Sequence, residues 1–168
     1  MPRYRRDLTE GGLYFFTVVL ADRKSNLLTK YINEFRESYL ETQNHYPFET
    51  IAICVLPDHF HVLMKLPDND SNYSRRIQSI KRNFSYRIYN KNKKDKRIPI
   101  WQKRFWEHLI RDDEDLSNHW DYIYYNPVKH GHVSNVKDWK YSSFHRDVKR
   151  GIYPEDWGGI SNITIKGE

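Results

Sequence analysis

Apolar runs with a strand-like period alternate along this chain with stretches of helical period. Leu13-Tyr-Phe-Phe-Thr-Val-Val-Leu20 is β-branched and aromatic and predicts a buried strand. Leu28, Ile32, Phe35 and Tyr39 recur at helical spacing and predict an amphipathic helix over about 28–43, stopped by Pro47. A second strand ends in Ile51-Ala-Ile-Cys-Val-Leu56. A tight Pro57-Asp58 turn leads directly into a third, His59-Phe-His-Val-Leu-Met-Lys-Leu66. Strands joined this closely are antiparallel. Tyr73, Ile77, Ile80, Phe84 and Ile88 mark a long second helix, and residues 104–110 predict a fourth strand. Asp112, Asp113, Glu114 and Asp115 suit the start of a third helix, which runs to about Asn126 and ends near Pro127 and Gly131. The order βαββαβα predicts an α+β sandwich, an antiparallel sheet covered by helices. No repeat or second domain is visible. The 168 residues read as one domain with a basic arm over 1–12 and a tail over about 132–168.

Composition adds a partner class. The chain has 13 Tyr, 8 Phe and 5 Trp, a formal net charge of +6 and a pI near 9.3. Cations neutralise phosphates and flat rings stack on unpaired bases, so nucleic acid is one reading. A ring-filled core and a solvated basic surface form the other. Basic and aromatic residues interleave in three places. These are Arg3-Tyr4-Arg5-Arg6; the second helix with its basic loop, carrying Arg75, Arg76, Lys81 and Arg82; and the tail, with His145 and Arg146, while Lys129 at the end of the third helix is a further candidate for DNA contact. The single cysteine, Cys54, excludes an internal disulfide framework and suggests a reducing compartment. The basic start has no apolar stretch behind it, and no apolar run is long enough for a bilayer. A cytoplasmic, membrane-free protein is expected.

Two constellations could do chemistry. His59 and His61 stand two apart on a strand and share one face, where they could bind one divalent metal; Phe60, Val62 and Met64 would face the core. The alternative is a pair of solvent-facing histidines. Tyr122 and Asn126, at i and i+4, share a helix flank with His119, while Leu116, Trp120 and Ile123 form the core stripe. The flank could bring a phenol and an amide oxygen to the sheet edge, with Asn126 as third metal ligand. Alternatively Tyr122 is a packing residue and Asn126 part of the helix stop. Glu107-His108 could touch substrate, though a structural role fits it as well. No phosphate-binding glycine loop, Cys-x-x-Cys pair or serine nucleophile elbow is present.

Leu56-Pro-Asp-His-Phe-His-Val-Leu63 resembles the strand motif of the HUH single-strand nucleases. Asp121-Tyr-Ile-Tyr-Tyr-Asn-Pro-Val-Lys-His-Gly131 resembles the tyrosine helix of their single-tyrosine transposases. The chain is most similar to the REP-associated tyrosine transposases, from about Arg3 to Trp157. Gly11-Gly12, Phe15-Phe16-Thr17-Val18, Trp101-Gln102, Arg104–His108 and Phe144–Val148 add to the match. The resemblance implies a ferredoxin-like (RRM-like) antiparallel sheet flanked by helices, the HUH nuclease fold. It implies His59 and His61 as ligands of Mg²⁺ or Mn²⁺ and Tyr122 as nucleophile. The implied substrate is a single-stranded REP hairpin, cut through a 5′-phosphotyrosine and rejoined by a monomer acting in cis at the nucleoid. The arm and the tail are the expected DNA readers. A non-catalytic single-strand-binding module and a water-using phosphoesterase are the competing classes.

Overall fold

The computed structural model describes residues 6–93 and 95–158. Four strands, β1 (Leu13–Val19), β2 (Glu49–Val55), β3 (His59–Lys65) and β4 (Trp106–Leu109), form one antiparallel sheet in the order β2-β3-β1-β4. The crossovers that produce this order are helical. A short α1 (Leu27–Lys30) and α2 (Ile32–His45) join β1 to β2, and α3 (Tyr73–Asn92) joins β3 to β4. The predicted helix over 28–43 is thus two helices, separated where Tyr31 leaves helical geometry at φ −112° and ψ 43°.

Strand alternation divides the central residues between two cores. Phe16, Val18, Phe60, Val62 and Met64 pack with Phe35, Ile77, Ile80, Phe84 and Ile88 from α2 and α3. Phe15, Ala52, Cys54 and Leu63 point the other way, onto Tyr122, Ile123 and Tyr124 of α4 (Asp113–Lys129). The sheet is therefore covered on both faces, and β3 is buried on both except at Lys65. Each large apolar side chain removed from water contributes roughly 1.5–3 kcal/mol before conformational entropy is counted.

The tail folds onto the body of the domain. Val136 and Phe144 belong to the second core, with Trp139, Tyr153 and Trp157 packed around it. The backbone of residues 141–143 adds to the β2 edge: Val55 N–H donates to Tyr141 O at 2.8 Å, and Ser143 N–H to Ile53 O at 2.9 Å. A last helix, α5 (Phe144–Lys149), follows. Its Asp147 is fully buried and accepts from Trp120 Nε1 at 3.2 Å, from Arg146 Nε at 3.1 Å and from the Tyr124 hydroxyl. Asp147→Ala strands these donors in the core, so it should cost about 2–4 kcal/mol of unfolding free energy. A denaturant titration checks this; a loss under about 0.5 kcal/mol, the range of an ordinary surface change, would contradict it.

Candidate active site

β3 brings His59 and His61 onto the face covered by α4. They are 2% and 0% exposed, so the solvent-facing alternative does not hold. Their rings lie 4.8 Å apart between centroids at 83°. Each Nδ1 is engaged, His59 by Asp58 Oδ1 at 2.8 Å and His61 by Thr17 Oγ1 at 2.8 Å. Burial works to raise the Asp58 pKa, but hydrogen bonds from His59 and Arg23 outweigh it and bring it to about 2. Asp58 is then an anion at neutral pH. It favours the His59 tautomer protonated on Nδ1, with the lone pair on Nε2. His59 Nε2 is buried and has no hydrogen-bond partner among the described residues. A histidine whose Nδ1 is held by a carboxylate and whose Nε2 is buried and unsatisfied suits a metal ligand. The donor set fits a divalent ion.

α4 supplies the phenol. Asp112 caps it by accepting from Asp115 N–H at 2.8 Å, and Asp113, Glu114 and Asp115 favour the positive helix end. Tyr122 and Asn126, one turn apart, are both fully buried. Pro127 lies inside the helix, which continues to Lys129. Gly131, at φ +74°, then closes it, with His132 N–H donating to Pro127 O at 2.9 Å. The Tyr122 ring meets His61 edge-on at 5.3 Å and Phe15 at 6.0 Å. Phe15 also stacks on His61 at 5.5 Å, so the phenol, His61 and Phe15 form one buried cluster of rings in mutual contact. Lys129 Nζ lies 4.9 Å over the Tyr122 ring and 3.4 Å from its hydroxyl.

The neighbouring tyrosines differ. Tyr124 is fully buried and bonded to Ser143 at 2.8 Å and to Asp147; burial first, then Asp147, push its pKa up. Tyr153 donates to Asp121 at 2.6 Å and is shifted the same way for like reasons. Neither is disposed to become a phenolate.

Sequence reasoning missed several participants. Thr17 meets His61 only because β1 pairs with β3 in a register that sets the two opposite each other. The His130 ring lies 5.3 Å from that of His59, brought there by the helix end. The Pro57-Asp58 turn was visible in the chain, but the role of Asp58 was not.

The residues expected to hold DNA separate into groups. Arg75 and Arg82 are exposed and line a polar groove of about 380 Å³ with Tyr46, Asn72 and Gln78. Arg6 reaches the same helix end, donating to Ser74 Oγ at 2.6 Å. Arg3, Tyr4 and Arg5 lie outside the described residues. Lys129 faces Tyr122, and His145 is exposed. Arg76 does not join the groove. It is 2% exposed, donates to Pro47 O, Asn72 O and Asp70, and holds the start of α3. Lys81 donates to Gln102 O at 2.9 Å. Arg146 binds the carbonyls of Thr50 and Ile51, at the bulge of β2, and straps the tail down.

Comparisons with known proteins bear on the family and the fold. The model of the family described as "Transposase IS200 like" matches residues 10–110. A Haemophilus influenzae protein provisionally named a REP-associated tyrosine transposase is 63% identical over 175 residues, covering 100% of this chain and 99% of the relative. The REP-associated tyrosine transposase of Escherichia coli K12 is 47% identical over 168 residues, covering 100% of this chain and 98% of its own. A solved structure of a REP-associated tyrosine transposase bound to a REP hairpin superimposes with a TM-score of 0.92 at 45% identity, covering 100% and 98% of the two chains. No helix of the described residues is long and apolar enough to cross a membrane. The chain belongs to the IS200-like transposase family, among the REP-associated tyrosine transposases, enzymes of DNA cleavage and rejoining.

Proposed function

We propose that the whole chain works as one domain that cuts and rejoins single-stranded REP hairpins through Tyr122. The observation that supports this most is the packing of the Tyr122 phenol between the His61 ring and the Lys129 ammonium. A phenol has an ordinary pKa near 10, and a cation beside its oxygen favours the phenolate. Lys129 Nζ, 3.4 Å from that oxygen, supplies such a charge.

The Tyr122 oxygen attacks the scissile phosphorus in line. A tyrosyl–phosphorus bond forms as the bond to the 3′ oxygen breaks. The phenolic proton is released to solvent, and the departing 3′ oxygen takes up a proton. The products are a 5′-phosphotyrosine and a 3′-OH. In the reverse sense, a 3′-OH attacks the tyrosyl ester and frees Tyr122, so the covalent bond conserves the energy for rejoining. Mg²⁺ or Mn²⁺ held by His59, His61 and Asn126 would polarise the scissile phosphate and offset the charge that builds on it. Asp58 and Thr17 orient the two imidazoles for that task, and Phe15 packs against both His61 and the phenol.

The relative solved with a REP hairpin supports a hairpin as the partner here. Arg75 and Arg82 would track its phosphates, with Arg3, Tyr4, Arg5 and Arg6 reading unpaired bases. In this reading a monomer acts in cis, in the cytoplasm at the nucleoid. A REP hairpin labelled on either side of the cleavage point tests the reading. With Mn²⁺, the label 3′ of the cut should become protein-linked on a denaturing gel. Linkage of the 5′ side would reverse the polarity. Tight binding without any adduct would favour a binding module.

A further inference from the structure

A second group of metal-binding side chains lies apart from the His59 and His61 pair. We propose that His108, Asp115 and His119 form a separate site for a first-row transition ion such as Zn²⁺ or Co²⁺, tying β4 to the helix that presents Tyr122. The site goes beyond the reading above and does not depend on it.

Its donors come from two elements. His108 projects from β4, while Asp115 and His119 stand at i and i+4 on α4 and so share one face. One atom of each side chain falls within 4.8 Å of the others. Asp115 Oδ1 lies between the imidazoles, 3.0 Å from His108 Nε2 and 3.1 Å from His119 Nδ1. Ligands bound at about 2.1 Å stand about 3.4 Å apart around a tetrahedral ion and about 3.0 Å apart at right angles, so a few tenths of an ångström of side-chain movement brings these spacings to coordination. In the present state the gaps are bridged by hydrogen bonds. His119 Nδ1 also meets the Asp115 carbonyl at 2.8 Å, and Asp115 Oδ2 accepts from Arg111 N–H at 2.9 Å. On ion entry the proton that each imidazole shares with Asp115 moves to its other ring nitrogen, which frees the lone pair facing the carboxylate for the ion.

The surroundings favour a cation. The three side chains are 25%, 19% and 10% exposed, which gives an ion a path from solvent and leaves room for water ligands. Asp112, Asp113 and Glu114 precede the site in a chain of net charge +6. Their negative charge offsets the positive helix end, which would otherwise repel a cation. Two imidazoles and one carboxylate select Zn²⁺, Co²⁺ or Ni²⁺ over the oxygen-seeking Mg²⁺. Phe15 separates the two clusters: its ring contacts His119 at 4.9 Å on one side and His61 at 5.5 Å on the other. An ion on His108, Asp115 and His119 would fix the first half of α4 against the sheet edge, upstream of Tyr122.

Equilibrium dialysis of the full chain against Co²⁺, read with the visible d–d absorption, tests this. Wild type should bind two ions. The His59→Ala/His61→Ala protein should keep one, with a d–d spectrum of nitrogen–oxygen coordination. Adding Asp115→Asn to that protein, or replacing both His108 and His119 by Ala, should remove the remaining ion. Circular dichroism checks that each variant is folded. A His59→Ala/His61→Ala protein that is folded and binds no Co²⁺ overturns the proposal, and this result needs no variant of the new site. Retention of both ions by folded His108→Ala/His119→Ala protein overturns it equally.

Discussion

Tyr122→Phe should abolish both cleavage and the covalent protein–DNA adduct while leaving hairpin affinity within about twofold. The substitution removes one oxygen and keeps the ring that packs on Phe15 and His61, so the core keeps its shape. Lys129 loses its contact with the hydroxyl, but its position over the ring survives. Removing the nucleophile of a covalent mechanism costs about three orders of magnitude or more in rate. Single-turnover cleavage of a labelled hairpin measures this. Tyr124→Phe is the matched control. It deletes a buried hydroxyl that serves Ser143 and Asp147, so it should lower stability by about 1–3 kcal/mol and leave the adduct in place. Cleavage that persists without an adduct in Tyr122→Phe would mean that water attacks phosphorus. An adduct that disappears only in Tyr124→Phe would move the nucleophile.

The difference between these tyrosines marks where the sequence stopped being readable. Helical spacing set Tyr122 and Asn126 on one flank, because i and i+4 are local relations. Strand alternation likewise set His59 and His61 on one face and Phe60, Val62 and Met64 on the other. The order of strands and helices was legible for the same reason. Thr17 was not, since its meeting with His61 depends on a pairing across 44 residues. Arg76 and Arg146 looked like their exposed neighbours Arg75 and His145 in composition. Only the backbone carbonyls that close around their guanidinium groups separate them. The packing of the tail was hidden in the same manner. Phe144, Trp139 and Tyr153 among basic residues suit either base stacking or a core, and the edge of β2, onto which the tail folds, is invisible in one dimension. His119 was placed beside Tyr122 correctly by the helix wheel. Its partner His108 arrives from β4, which only the sheet brings close.

The second large effect concerns the histidine pair and separates grip from chemistry. His59→Ala should reduce single-turnover cleavage by at least about 100-fold at any Mn²⁺ concentration. Hairpin affinity should change little, because the exposed cations of the groove, Arg75 and Arg82, lie on α3 rather than on β3. Asp58→Asn should behave differently. Asp58 does not ligate in this scheme; as an anion at neutral pH it holds the His59 ring and its tautomer. An amide at that position can still accept from Nδ1–H but no longer supports a build-up of positive charge on the ring. The loss expected for such an outer partner is about 10–100-fold in metal affinity. Raising Mn²⁺ should therefore restore cleavage to Asp58→Asn and not to His59→Ala. Calorimetric titration of Mn²⁺ into each protein without DNA reads the same order, wild type above Asp58→Asn above His59→Ala, with no reliance on turnover. If His59→Ala loses hairpin binding as severely as cleavage while remaining folded, the pair belongs to the DNA-contacting surface. If all three proteins bind Mn²⁺ equally, the ion sits elsewhere, and the buried Nε2 of His59 is not its ligand.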